Sequence, residues 1–352
     1  LSMNRLFFLS LLFFLGNTSE FFAQTEPLWD NTTKNKPSQE LQEVEIISST
    51  DCKIQKAFVY KTKSKIRKPL IVSLHTWSGD YTQKDPLVND VMARDWNYIH
   101  PDFRGANNKP EATCSTLVLS DIEDAIDFAL KHTNADPQEV HIIGVSGGGL
   151  ATLYAYMNIQ YPVKSFSAWV PISDIDAWYW ESVGRKQKYA DDIVKSVSVD
   201  TVYNREEALR RSPLWQKFPK EKRENSQFYI YTGIHDGYIG SVPITHSINM
   251  YNRLVGDLKY NTSNLDDIMK KANSDSDLIS EKKVIDLVTK RMNPLHKVNS
   301  VIFNRPVHLT RQYQNIRLTV FEGGHEQIPQ ALALLPHSYI AVSYTHLTLP
   351  TT

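Results

Sequence analysis

The sequence predicts an α/β fold: a mostly parallel central sheet flanked by helices, with a cap or insertion between strands. Three observations predict it. Short apolar runs bounded by polar loops recur along the chain, and helical stretches with one apolar face alternate with them. One such run passes directly through a glycine-rich turn into a helix. Continuous apolar strands of this kind suit a sheet covered on both faces.

Taken in order, residues 44–64 (VEIISSTDCKIQKAFVYKTKS) read as two alternating strands, and residues 68–79 (KPLIVSLHTWSG) as a buried strand that breaks into a polar loop at His75. Asp95 to Pro101 reads as another strand. After a loop over 102–115, a helix is expected from Ser120, with Ile122, Ala125, Ile126 and Ala129 on one face and a capping box from Ser120 to Glu123. Residues 139–162 (EVHIIGVSGGGLATLYAYMNIQYP) read as strand, tight turn and helix to about Gln160. Residues 165–174 and 227–237 read as two further strands. Between them, the aromatic and then helical stretch 176–218 is expected to cap the C-terminal edge of the sheet. The charged helical stretches over about 255–310 read as an insertion, and residues 316–335 close with a strand, a turn and a helix.

The ends read differently. Arg5 followed by the apolar run Leu6 to Leu15, with a cleavage-like site after Ala23, reads as a secretory signal over 1–23, and so predicts a secreted or periplasmic protein. The run is too short to span a bilayer, and no lipobox cysteine follows it. Residues 24–40 read as a linker or arm and 41–341 as a single catalytic domain. Residues 342–352 lack periodicity and charge, and resemble translated adapter sequence rather than native chain.

Composition narrows the partners. Of 352 residues, 41% are hydrophobic, and 39 Lys and Arg balance 39 Asp and Glu. Such a balance gives no electrostatic footprint for nucleic acid or for an anionic membrane. No H-E-x-x-H or close histidine pair points to a metal, and no cofactor is expected. Two cysteines, Cys52 and Cys114, are too few for a disulfide framework, and whether they pair is left open.

Gly144-Val145-Ser146-Gly147-Gly148 fits G-x-S-x-G at the end of a strand and the start of a helix. The turn is sharp enough to expose a strained serine hydroxyl, and the N–H of Gly147 stands where an oxyanion would be held. A serine needs a base and the base needs an orienting carboxylate. Asp236, after the strand FYIYTGI, and His325, after IRLTVFEGG, follow in that order. Asp174 and Asp176 compete for the acid, and His235, His246 and His308 for the base. His75-Thr76-Trp77-Ser78-Gly79 stands where a second oxyanion donor is needed, either the N–H of Trp77 or that of Thr76. His75 and Arg104 are candidate cleft residues, although Arg104 also suits a structural ion pair. Trp169, Trp178, Tyr179 and Trp180 could stack on a sugar or aryl ring, or simply pack the cap.

The order HTWSG, DFRG, GVSGGG, G-I-H-D with Val242-Pro243 after it, then Gly323-Gly324-His325, resembles the catalytic domain of the prolyl-oligopeptidase-like (S9-type) α/β-hydrolases and their secreted esterase relatives. The resemblance covers about residues 41–335. Two departures are a longer loop after Asp236 and the insertion between acid and base. The resemblance implies a serine hydrolase with an acyl-enzyme intermediate and no cofactor. With no room before residue 41 for a large N-terminal propeller, a stand-alone esterase is expected, acting on acetyl or feruloyl esters of plant polysaccharides. An S9-like exopeptidase or amidase is the alternative, and a non-catalytic binding protein of the same fold stands below both.

Overall fold

The computed structural model describes residues 39–198, 201–292 and 300–336. The segments read as signal, as most of the arm and as tail therefore lie outside the described residues. The strands are β1 (Gln42–Ile47), β2 (Ile54–Tyr60), β3 (Lys68–Leu74), β4 (Asn97–Pro101), β5 (Ala135–Val145), β6 (Ser165–Trp169), β7 (Gln227–Gly233), β8 (Val301–Ile302), β9 (Arg305–Tyr313) and β10 (Ile316–Phe321). They form one sheet in the order β1-β2-β4-β3-β5-β6-β7-β10-β9-β8. The six central strands from β4 to β10 pair in parallel, and the two strands at each end pair antiparallel.

The helices are α1 (Leu87–Ala93), α2 (Thr116–His132), α3 (Gly147–Asn158), α4 (Ile175–Gly184), α5 (Tyr189–Val197), α6 (Arg205–Arg211), α7 (Lys220–Arg223), α8 (Thr245–Tyr260), α9 (Leu265–Lys271) and α10 (Glu281–Met292). Strand side chains alternate between two cores. Leu70, Val72, Ile142, Phe166, Ile230 and Leu318 face a core shared with α2, α3 and α8. Ile71, Ile143, Trp169, Tyr231 and Phe321 face a second one, shared with α1 and the 3-10 turn Ala331–Leu334. Burial on both faces explains why these strands read as continuous apolar runs. A third cluster, including Trp77, Leu150, Tyr154, Trp178, Ile193, Ala208 and Val242, seats α4, α5 and α6 over the α3 side of the sheet edge.

Three boundaries differ from expectation. Helix α2 starts at Thr116, where the Ser115 hydroxyl accepts from Val118 N at 3.2 Å. Ser120 bonds instead to Thr50, and Glu123 accepts from the N–H groups of Gln160 and Tyr161, so the expected box is not a cap. The stretch 255–310 is only partly an insertion. Its start completes α8, with Val255 in the main core, α9 and α10 are the inserted helices, and its end enters β9, which pairs along β10. Lastly, the described chain closes on a 3-10 turn rather than a regular helix.

Both thiols are free, Cys52 exposed and Cys114 buried, and burial pushes the Cys114 thiol well above its ordinary range. Among the described residues no helix is long and apolar enough to cross a membrane.

Candidate active site

Parallel strands place their C-terminal ends on one edge, and α/β sheets carry their sites there. Ser146 directly follows β5, Asp236 comes three residues after β7, and His325 four after β10. All three are buried.

Ser146 has φ 59° and ψ −117°. A side chain in such a conformation costs about 1–3 kcal/mol and persists only where its surroundings impose it. Here the serine N–H donates to Trp169 O at 2.9 Å, and its carbonyl accepts from Leu150 N at 2.9 Å. The flanking backbone is equally fixed. A Cβ on Gly148 would overlap the carbonyl oxygens of Leu74 and His75, and one on Gly147 would overlap the backbone N and Cα of Trp77. That last contact brings the Trp77 backbone close against Gly147, the residue after the elbow serine.

Thr76 does not share that position. Its N–H and its hydroxyl both donate to Gln83 Oε1, at 2.8 and 3.0 Å, so its donors are spent holding the loop. The Trp77 carbonyl accepts from Asn107 N at 2.7 Å, which fixes the same peptide chain from the other side. Neither Gln83 nor Asn107 stood out in the sequence, because a lone amide side chain carries no spacing signal.

His325 Nδ1 lies 2.8 Å from Asp236 Oδ2, with both side chains essentially inaccessible to solvent. A carboxylate accepts only, so Nδ1 carries the proton and the neutral ring keeps its lone pair on Nε2. The second carboxylate oxygen, Oδ1, accepts from Gly237 N at 2.9 Å and Val242 N at 3.1 Å. The Asp236 carboxyl is thereby held in one orientation.

The competing groups are engaged elsewhere. Asp174 caps α4 and accepts from Trp215 Nε1, while Asp176 accepts from Tyr203 and Arg205. His246 Nδ1 accepts from Ser173 N at 3.2 Å, and its Nε2 faces Glu181 at 3.0 Å. His235 and His308 both bind Glu322, at 2.5 and 2.8 Å, and this contact holds the Glu322 carboxyl down at about 2.

Of the candidate substrate contacts, His75, Arg104, Trp169 and Trp178 are buried and engaged within the fold. Buried His75 stacks on Phe103 with centroids 3.8 Å apart, its two ring nitrogens face the carbonyls of Thr76 and Asp102, and burial lowers its pKa. It is a post for the loop. Arg104 is buried between Asp51 and Asp121, with bonds of 2.6–3.0 Å, because a buried guanidinium must be paired. Trp178 is fully buried, packs edge-on to Trp77 at 4.8 Å and donates to Ser241 O. Trp169 likewise stacks on Tyr231 in the core. Trp180 alone of these tryptophans is open, at 57% exposure.

A strained serine between β5 and α3, two backbone donors beside it, and a buried aspartate–histidine pair on the same edge define an α/β-hydrolase with serine-hydrolase geometry. The chain belongs to the prolyl oligopeptidase family, whose profile matches residues 90–273. That span includes Ser146 and Asp236 and stops short of His325. Among solved structures, the chain is similar to prolyl oligopeptidase B from Galerina marginata bound to a 35mer hydrolysis and macrocyclization substrate, at 16% identity and a TM-score of 0.50, over 65% of this chain and 33% of that one. It is also similar to Pyrococcus horikoshii acylaminoacyl peptidase, at 20% identity and a TM-score of 0.48, over 60% and 34%. The chain thus spans about a third of the length of these proteins. No curated protein sequence matches it.

Proposed function

We propose that this chain is a serine peptidase or amidase of the S9 type. Ser146 is its nucleophile, His325 its base, Asp236 the acid that orients the base, and the N–H groups of Gly147 and Trp77 its oxyanion hole. The observation that carries the reading is the buried 2.8 Å bond between His325 and Asp236 on the sheet edge that also bears the Ser146 elbow.

In this reading Ser146 Oγ attacks the carbonyl carbon of the substrate while its proton passes to His325 Nε2. The carbonyl oxygen becomes an oxyanion that accepts from Gly147 N–H and Trp77 N–H. Collapse breaks the C–N bond, and the amine leaves with the proton from His325. Water then attacks the acyl-enzyme, giving its proton to His325, and the acid departs as the proton returns to Ser146.

Family membership favours amide bonds over the ester reading. The case for a glycan ester drew on the aromatic run Trp169, Trp178, Tyr179 and Trp180; Trp169 and Trp178 are buried, Tyr179 stacks on Tyr203, and Trp180 is the exposed ring left to meet a sugar or aryl group. A secreted or periplasmic location rests on the apolar run Leu6 to Leu15 and stays part of the proposal.

The test assays purified protein on aminoacyl-nitroanilides, p-nitrophenyl acetate, methyl ferulate and acetylated xylan, beside Ser146→Ala. Anilide release that falls roughly 10⁴- to 10⁶-fold in the variant is the expected result. Ester release with no anilide release would return the assignment to an esterase. Full activity in Ser146→Ala would overturn both.

A further inference from the structure

The loop that carries the acid, residues 236–242, bonds outward as well as inward. Inward, Gly237 N–H and Val242 N–H donate to Asp236 Oδ1. Outward, the Arg185 guanidinium at the C-cap of α4 donates to Gly237 O at 3.4 Å, Gly240 O at 3.1 Å and Ser241 O at 2.8 Å, with its Nε on Glu181 O at 3.1 Å. All four contacts are to carbonyl oxygens. Trp178 Nε1 adds a second donor to Ser241 O at 2.8 Å.

One peptide unit joins the two sides. The carbonyl of Ser241 and the N–H of Val242 belong to the same amide plane, so a cation and an indole sit on its oxygen while a carboxylate sits on its hydrogen. The amide turns its negative end to Arg185 and its positive end to Asp236, and each bond polarises the next. Gly240 closes the packing, because a Cβ there would overlap both Asp236 Oδ1 and His325 Cβ. The loop therefore has little room to shift without moving the acid–base pair.

We infer that Arg185 is a positioning residue for the reaction: through the 241–242 peptide it fixes the Asp236 carboxylate and, with it, the ring of His325. The inference rests on the proposed triad and deepens it. It also gives the cap a part in the chemistry, since α4 reaches the acid through this side chain.

A double-mutant cycle tests it. Arg185→Met should lower kcat about 10- to 100-fold with KM unchanged, the scale of effect seen when a reacting group is displaced by about an ångström. In an Asp236→Asn background the same substitution should change kcat less than about twofold, since the group it positions is gone. Arg185→Lys keeps the charge without the fork and should fall between; it carries the cycle if the methionine variant does not fold. The downfield Nδ1 proton resonance of His325 gives an independent readout, expected to broaden in Arg185→Met. An equal loss in both backgrounds, or wild-type kcat in Arg185→Met, would overturn the inference while Ser146→Ala, still inactive, left the triad standing. Activity in Ser146→Ala would instead remove the triad itself.

Discussion

At the residue scale the chemistry depends on partners that a linear reading does not reach. Ser146, Asp236 and His325 were legible because each follows an apolar strand and because their order suits an elbow, an acid and a base. Gln83 and Arg185 were not, since each acts across a fold on backbone atoms, which have no identity in a sequence. Gln83 makes the point measurable. It accepts both donors of Thr76 and so holds the loop that presents the Trp77 N–H. Gln83→Leu leaves a buried N–H and a hydroxyl without that acceptor, a loss of about 1–3 kcal/mol. Urea titration should read that loss, and kcat should fall with it while KM changes less. An unaltered midpoint would mean that the loop holds itself.

At the element scale, the strands of the parallel core were legible and the edge was not. β9 exposes one side and sends only Leu309 fully into the core, so its polar alternation passed for part of an insertion. Helix α3 shows how a distant side chain completes an element. Its C-terminal carbonyls of Tyr156 and Ile159 accept from buried Arg223, whose guanidinium also lies over Tyr156 and Phe166, and burial lowers the Arg223 pKa. Arg223→Met keeps the volume and strands those carbonyls. It should destabilise the protein by about 1–3 kcal/mol in a denaturant titration, with the specific activity of the folded fraction retained.

Glu322 joins elements in another way, linking the β7 exit loop and β9 to the end of β10 through His235 and His308. Its carboxyl is lowered from 4.5 to about 2. A carboxyl lowered on folding stabilises the native state above its unfolded pKa, and that contribution is lost as pH falls through the folded value. The window is therefore from about pH 4.5 down to about 2. Glu322→Gln should melt lower than wild type at pH 7 and converge with it across that window in thermal scans; a constant gap would show that the pair contributes nothing to acid stability.

At the scale of the whole molecule, the cap is part of the hydrolase rather than a lid resting on it. Trp178 from α4 packs on Trp77 of the oxyanion loop and bonds to the acid loop at Ser241. The aromatic run was legible as a cap, but which of its rings lie buried was not, because composition does not tell a buried ring from an exposed one. Trp178→Ala removes the ring from both neighbours and should cost about 3–5 kcal/mol, with kcat and stability falling together. If stability fell alone, the two loops would be shown to stand without the cap.

The sheet order also sets a schedule. β10 lies between β7 and β9, although it is the last strand of the described chain. Until it inserts, β7 has an unpaired edge, and the ribosome has already made Ser146, Asp236 and the whole cap. Pairings of such long separation form late. A nascent chain therefore carries Ser146 and Asp236 before it carries His325, and the three share one edge only when the sheet closes.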